Sequence, residues 1–229
     1  MKVIDDNTKE LFWWNRNYYF IGTILIVIIN ITLFGAAGNV WEHSIGKNES
    51  DWGAILNFDN LIRQFLNSFS HTNWQHVLLN MLCFFVVGLY LERKKGTINL
   101  LLLVAAMAFF TSTAVGANHL RVYWHGFSGV NFGFYAYVII DYCFMLRKET
   151  RNDFDLISGA IIIALIYFAM CFKGGTSTVS FTWYPYDLMH NKGHYSSFFA
   201  GAVFGTTTQI VKIISKKETK QLKNTTEQS

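Results

Sequence analysis

The sequence predicts an all-α integral membrane protein, a bundle of six spanning helices with both termini in the cytoplasm. Three observations predict it. Of the 229 residues, 52% are hydrophobic and 15% charged, where a soluble domain carries about a quarter charged residues. The apolar residues fall in blocks of about 20, the length that crosses about 30 Å of hydrocarbon at 1.5 Å per residue. The basic residues crowd into alternate loops. A soluble enzyme does not fit this composition. The net charge of +4 is explained by positioning in a bilayer better than by nucleic acid, because the lysines and arginines lie between and beyond the apolar blocks.

The predicted spans are 18–38, 75–91, 97–117, 127–146, 155–172 and 194–214. They form a membrane domain over 18–215, preceded by a cytoplasmic segment, 1–17, and followed by a polar tail, 216–229, expected to be disordered. The first span competes with a signal peptide, since Gly35-Ala36-Ala37 is a tolerable cleavage site. However, the preceding segment is long and carries Asp5, Asp6 and Glu10, and the apolar run exceeds an h-region. The loop 39–74 reads either as a segment lying in the interface, with Leu61, Ile62, Phe65, Leu66 and Phe69 at helical spacing, or as an ordinary outer loop anchored by Trp41, Trp52 and Trp74. The single proline, Pro185, falls in a loop, so the helices run unbroken. Cys83, Cys143 and Cys171 all sit in apolar blocks and read as small packing residues rather than disulfide or zinc partners.

Fourteen of the nineteen basic residues lie before the first span, between the second and third, after the fourth, or at the C-terminus. The other side carries Lys47, Arg63, Arg121, Lys173 and Lys192. The positive-inside rule therefore puts both termini in the cytoplasm, and an even number of spans agrees.

Polar residues inside spans are costly enough to be functional by default, with interhelical hydrogen bonding as the competing reading. Three clusters stand out, all at the outer ends of their helices. The second span opens with His71, His76 and Asn80 in the pattern HxxxxHxxxN. His76 and Asn80, four apart, share a helix face and point two donors the same way, or else glue helices together. His71 is rotated away and marks the passage from loop to helix. The fourth span opens Gly126-Phe127-Ser128-Gly129, placing a serine where backbone N–H groups and the helix dipole would stabilise an anion. A capping serine beside a small-residue contact at Gly129 and Gly133 is the plainer account. The sixth span opens Gly193-His194, and His194, Ser197, Gly201 and Gly205 form one stripe that draws in a partner helix. Alone, such a histidine reads as an interfacial anchor.

Together these residues supply a nucleophile, a base and oxyanion donors at one depth. Serine needs a positioned base to take its proton, and neutral histidine suits that near pH 7. That is the logic of a serine hydrolase set below the membrane surface. No cofactor or metal is expected: HExxH is absent, only Asp141 lies well inside a span, and His190 with His194 lacks an obvious third ligand. His125 is a rival base.

With these motifs in this order, the sequence resembles the rhomboid intramembrane serine proteases across essentially the whole six-span region. The resemblance implies a rhomboid-like fold, a Ser128–His194 dyad without an aspartate, and His76 and Asn80 as oxyanion donors. It further implies supporting roles for Gly126, Gly129 and Gly201, for Arg63 as the arginine of a first-loop Trp-Arg pair, and for Glu92 at the inner end of the second helix. The expected partners are the lipid bilayer and membrane-anchored protein substrates, cut near the outer ends of their spanning helices. The expected location is the plasma membrane with the site facing outside. Three residues depart from the family: Ile62 replaces the tryptophan of the pair, Phe132 a tyrosine near the nucleophile, and Ser197 a glycine, which could hold two helices apart. The alternative is a catalytically inactive relative that binds the spanning helices of client proteins. Such relatives usually lose the serine or histidine, and both are present here.

Overall fold

Helices of membrane length dominate the computed structural model, which describes residues 20–37, 62, 65–118, 126–147, 153–174 and 179–226. In chain order they are α1 (Ile21–Ala37), α2 (Trp74–Lys95), α3 (Thr97–Asn118), α4 (Ser128–Leu146) and α5 (Asp153–Met170). A hairpin of β1 (Phe172–Gly174) and β2 (Val179–Phe181) follows, then a short α6 (Tyr186–His190) and a long α7 (Lys192–Thr226). Among the described residues, α2, α4, α5 and the Lys192–Ser215 part of α7 are long and apolar enough to cross a membrane. Two shorter apolar stretches, Ile21–Ala36 and Thr97–Thr111, lie in α1 and α3. Leu78 and Leu82 of α2, Ile157 and Ile161 of α5, and Phe199 and Val203 of α7 all face outward. Rows of exposed large apolar side chains suit a lipid environment and not water. The protein is a multi-pass integral membrane protein.

The core lies between α2, α3 and α4. Phe84 of α2 sits between Phe127 and Phe134, with ring centroids 5.0 and 6.0 Å away, and Leu100 and Met107 of α3 are fully buried. Helix α7 packs chiefly against α4 and then α3. Gly201 makes its closest approach to α4: a Cβ there would lie 2.6 Å from Gly133 Cα, so any side chain would force the two backbones apart.

Helix α2 is fixed at both ends. Asn73 is its N-cap, its Oδ1 accepting the His76 N–H at 2.8 Å, a cap that typically contributes about 1 kcal/mol. Its last turn carries Arg93, Lys94 and Lys95, which complement the negative end of the helix dipole. At that end the buried Glu92 accepts four hydrogen bonds, from Gly22 N–H and Thr23 N–H at 2.9 Å, Thr23 Oγ1 at 2.7 Å and Thr97 Oγ1 at 2.6 Å. One carboxylate thereby caps α1 and joins α1, α2 and the start of α3. Asp141 of α4 is satisfied likewise, its Oδ1 accepting from Lys95 Nζ at 2.8 Å and Gln209 Nε2 of α7 at 2.7 Å.

The structure departs from the sequence expectation in two places. The segment between α5 and α7 is not purely a loop but contains an antiparallel hairpin pairing Phe172 with Phe181 and Gly174 with Val179, which starts two residues after α5 ends at Met170. Three-residue strands carry too little periodicity to be read from sequence. The tail, expected to be disordered from 216, is helical through Thr226. Its lysine, glutamate and glutamine residues are good helix formers without glycine or proline, and they extend a helix whose nucleation is already complete. At 35 residues and 1.5 Å per residue, α7 is about 52 Å long and outruns the bilayer. Arg63, His125, Trp41, Trp52 and Leu61 lie outside the described residues.

Candidate active site

The first turns of α2, α4 and α7 meet at one end of the bundle, opposite the Arg93–Lys95 end. Ser128 opens α4, whose N-cap, Phe127, provides no side-chain hydrogen bond. The first-turn N–H groups of α4 therefore keep their partial positive charge for another acceptor. His194 lies in the first turn of α7, where Asn191 Oδ1 accepts the N–H of Gly193 at 3.0 Å and of His194 at 3.4 Å. His194 Nε2 stands 3.0 Å from Ser128 Oγ. Sixty-six residues apart in sequence, the two side chains are within proton-transfer distance.

The imidazole is held flat. Phe132, one turn after Ser128, stacks on it with ring centroids 4.2 Å apart and an interplanar angle of 7°. The hydroxyl that a tyrosine would carry at this position is thus dispensable for the stack itself. Ser197 is fully buried one turn below His194, and the Gly201–Gly133 approach and the 3.0 Å Ser128–His194 contact form with it in place.

His76 and Asn80 reach the same end from α2. Gly126, two residues before Ser128, has φ +105°, a conformation that glycine tolerates and L side chains rarely adopt. A Cβ on it would sit 2.7 Å from His76 Cε1, 3.0 Å from His76 Nε2 and 3.6 Å from Asn80 Nδ2. Both side chains therefore lie against the backbone that leads into Ser128. His76 Nδ1 lies 3.3 Å from Thr72 Oγ1. Asn80 Nδ2 is buried without an acceptor among the described residues. A buried amide donor left this way costs about 1–3 kcal/mol. Gly129 is buried in the first turn of α4.

Two site residues carry more than the sequence suggests. His71 precedes α2, as expected, yet its buried ring accepts the Phe127 N–H at Nε2, 3.3 Å away, and meets the His76 ring at 5.1 Å. It braces the backbone next to Ser128, while Asn67 O accepts the Gly126 N–H at 3.0 Å. Asn131, buried one turn below Ser128, donates from Nδ2 to the Asn80 carbonyl at 3.0 Å, joining α4 to α2 directly under the site. Its position in an apolar block was the available signal, but its partner is a backbone group that no sequence pattern displays. His190 stacks on Tyr186 with centroids 4.1 Å apart and so is engaged apart from the Ser128–His194 pair. Among the described residues, no group of three or more His, Cys, Asp or Glu is placed to hold a metal ion.

Comparison with known proteins gives two findings. The Rhomboid domain family model matches residues 59–210. The chain is also similar to the Rhomboid protease GlpG of Haemophilus influenzae, 27% identical over 135 residues, which make up 59% of this chain and 63% of that protein. The similarity thus spans somewhat less than two thirds of the relative's length.

Proposed function

The chain belongs to the rhomboid family, and on that premise we propose that it is an intramembrane serine endopeptidase that cuts membrane-anchored proteins near the outer ends of their spanning helices. The observation that carries this reading is the 3.0 Å approach of Ser128 Oγ to His194 Nε2, with His76 and Asn80 beside Gly126, two residues before the serine. In this reading Ser128 attacks the scissile carbonyl carbon while its proton passes to His194 Nε2. The C–O bond forms as the carbonyl π pair moves onto oxygen. The resulting imidazolium then protonates the leaving amine as the C–N bond breaks, and water attacking the acyl-enzyme repeats the sequence.

The oxyanion would be met by Asn80 Nδ2, by His76 and by the Ser128 N–H. Asn80 brings a donor that is already desolvated, so none of its hydrogen bonds to water need be broken during reaction. For His76, the tautomer in which Thr72 Oγ1 donates to Nδ1 carries the proton on Nε2, the nitrogen that faces Gly126. Stacking on Phe132 holds the base in orientation. Substrate peptide bonds must leave their helix before attack, which favours targets with small or helix-destabilising residues at the cut.

For topology, we read six spans within 18–215, with α1 and α3 as the two shorter ones, both termini cytoplasmic, and the Ser128 end facing outward in the plasma membrane. The distribution of lysine and arginine supports this reading. The test is cleavage of a panel of single-span substrates by the purified protein in vesicles. Wild type is expected to cut at the outer end of the substrate helix, and Ser128→Ala to leave it intact. Cleavage that persists in Ser128→Ala overturns the proposal, as does no cleavage of any substrate by folded wild type.

A further inference from the structure

The outward face of α5 does not end with the helix. Phe154, Ile157, Ile161, Leu165 and Phe168 recur every three or four residues and are all exposed, forming one lipid-facing row. At its outer end the row continues onto the hairpin. Phe181 packs on Phe168 with ring centroids 5.3 Å apart, and Trp183 meets Phe181 edge-on at 5.4 Å. Trp183 is 88% exposed, more than any other large apolar side chain described.

This exposure does not come from a loose segment. The Trp183 carbonyl accepts from Tyr167 Oη of α5 at 3.1 Å. Its neighbour Thr182 donates to the Cys171 carbonyl through both N–H, at 2.9 Å, and Oγ1, at 2.7 Å. The backbone is thus fastened to the end of α5 while the indole projects beyond it. Covering a fully presented indole is favourable because its apolar area leaves water, and the surface continuous with it is the lipid-facing one. Indoles prefer the boundary between hydrocarbon and headgroups, where the ring is apolar on one side and N–H meets water or a lipid carbonyl on the other.

We infer that the β1–β2 hairpin is a membrane-interface anchor: the Phe168–Phe181–Trp183 ladder seats Trp183 among the lipid headgroups at the Ser128 end of the bundle. The occupant of this surface is the bilayer itself, not a substrate helix or a second copy of the chain. The anchor fixes the depth of the outer end of α5 and, through α6, of the chain leading to His194. It does not depend on catalysis.

The test uses full-length protein in phosphatidylcholine vesicles, comparing wild type with Trp183→Phe so that the difference in emission isolates one of the seven tryptophans. At 88% exposure, the substitution leaves packing intact. The difference signal should be quenched strongly by lipids brominated near the carbonyl end of the acyl chain, less by lipids brominated mid-chain, and little by aqueous acrylamide. Quenching by acrylamide without bromolipid quenching would place the indole in water and overturn the inference. A signal that becomes protected only on adding a spanning peptide, or only on raising the protein-to-lipid ratio, would overturn it in favour of a substrate or a second copy.

Discussion

The charged side chains at one end of the bundle and the neutral polar ones at the other are satisfied to different degrees. At the Arg93–Lys95 end the charged groups are satisfied: Glu92 accepts four hydrogen bonds, Asp141 binds Lys95 and Gln209, and Arg93 meets Ser158 at 3.1 Å and Asp155 at 3.6 Å. At the Ser128 end the polar groups are neutral, and one of them, Asn80 Nδ2, is buried without an acceptor among the described residues. A satisfied buried charge holds helices together, whereas an unsatisfied buried donor lowers stability and is retained where something else will bind it. In the proposed function, the difference separates scaffold from chemistry within a single set of helices.

Substitutions should divide along the same line. The largest effect belongs to the dyad: Ser128→Ala is expected to lower cleavage by about 10³-fold or more, with thermal unfolding in detergent unchanged. Asn80→Ala comes next and is the sharpest discriminator. Cleavage should fall about 10²- to 10³-fold, as for other oxyanion donors, while stability stays level or rises, because a buried donor lacking an acceptor is removed. A large loss of stability with unaltered turnover would instead make Asn80 helix glue. Glu92→Ala should show the reverse pattern, costing about 3 kcal/mol by stranding several donors, measured by denaturant unfolding, with the remaining folded protein cutting at the wild-type rate. The smallest and most graded effect is that of pH. A base must be neutral to accept the serine proton, so on the acid limb cleavage should fall about tenfold per pH unit as His194 becomes protonated.

Much of this organisation was legible beforehand, for identifiable physical reasons. Spanning helices announce themselves because the bilayer demands about 20 apolar residues in a row, and the expected ends of α2, α3, α4 and α5 fall within a few residues of those observed. His76 and Asn80 could be paired because a helix repeat puts positions four apart on one face. The role of His71 could not be read that way. It lies before the Asn73 cap, so helical periodicity does not set its direction. Asn131 was hidden because it bonds to a carbonyl on another helix. The hairpin was too short for its pattern to register, and the helical tail was masked by a composition that disorder and exposed helix share. Glu92, expected at the inner end of the second helix, turns out to cap the first.

The claim that Ser128 is a nucleophile activated by His194 is tested most directly by mapping the adduct of a fluorophosphonate on folded protein by mass spectrometry. A single modified serine, Ser128, is expected in wild type, with the adduct lost in His194→Ala. Modification at another serine, undiminished labelling in His194→Ala, or no adduct on folded wild type would contradict it.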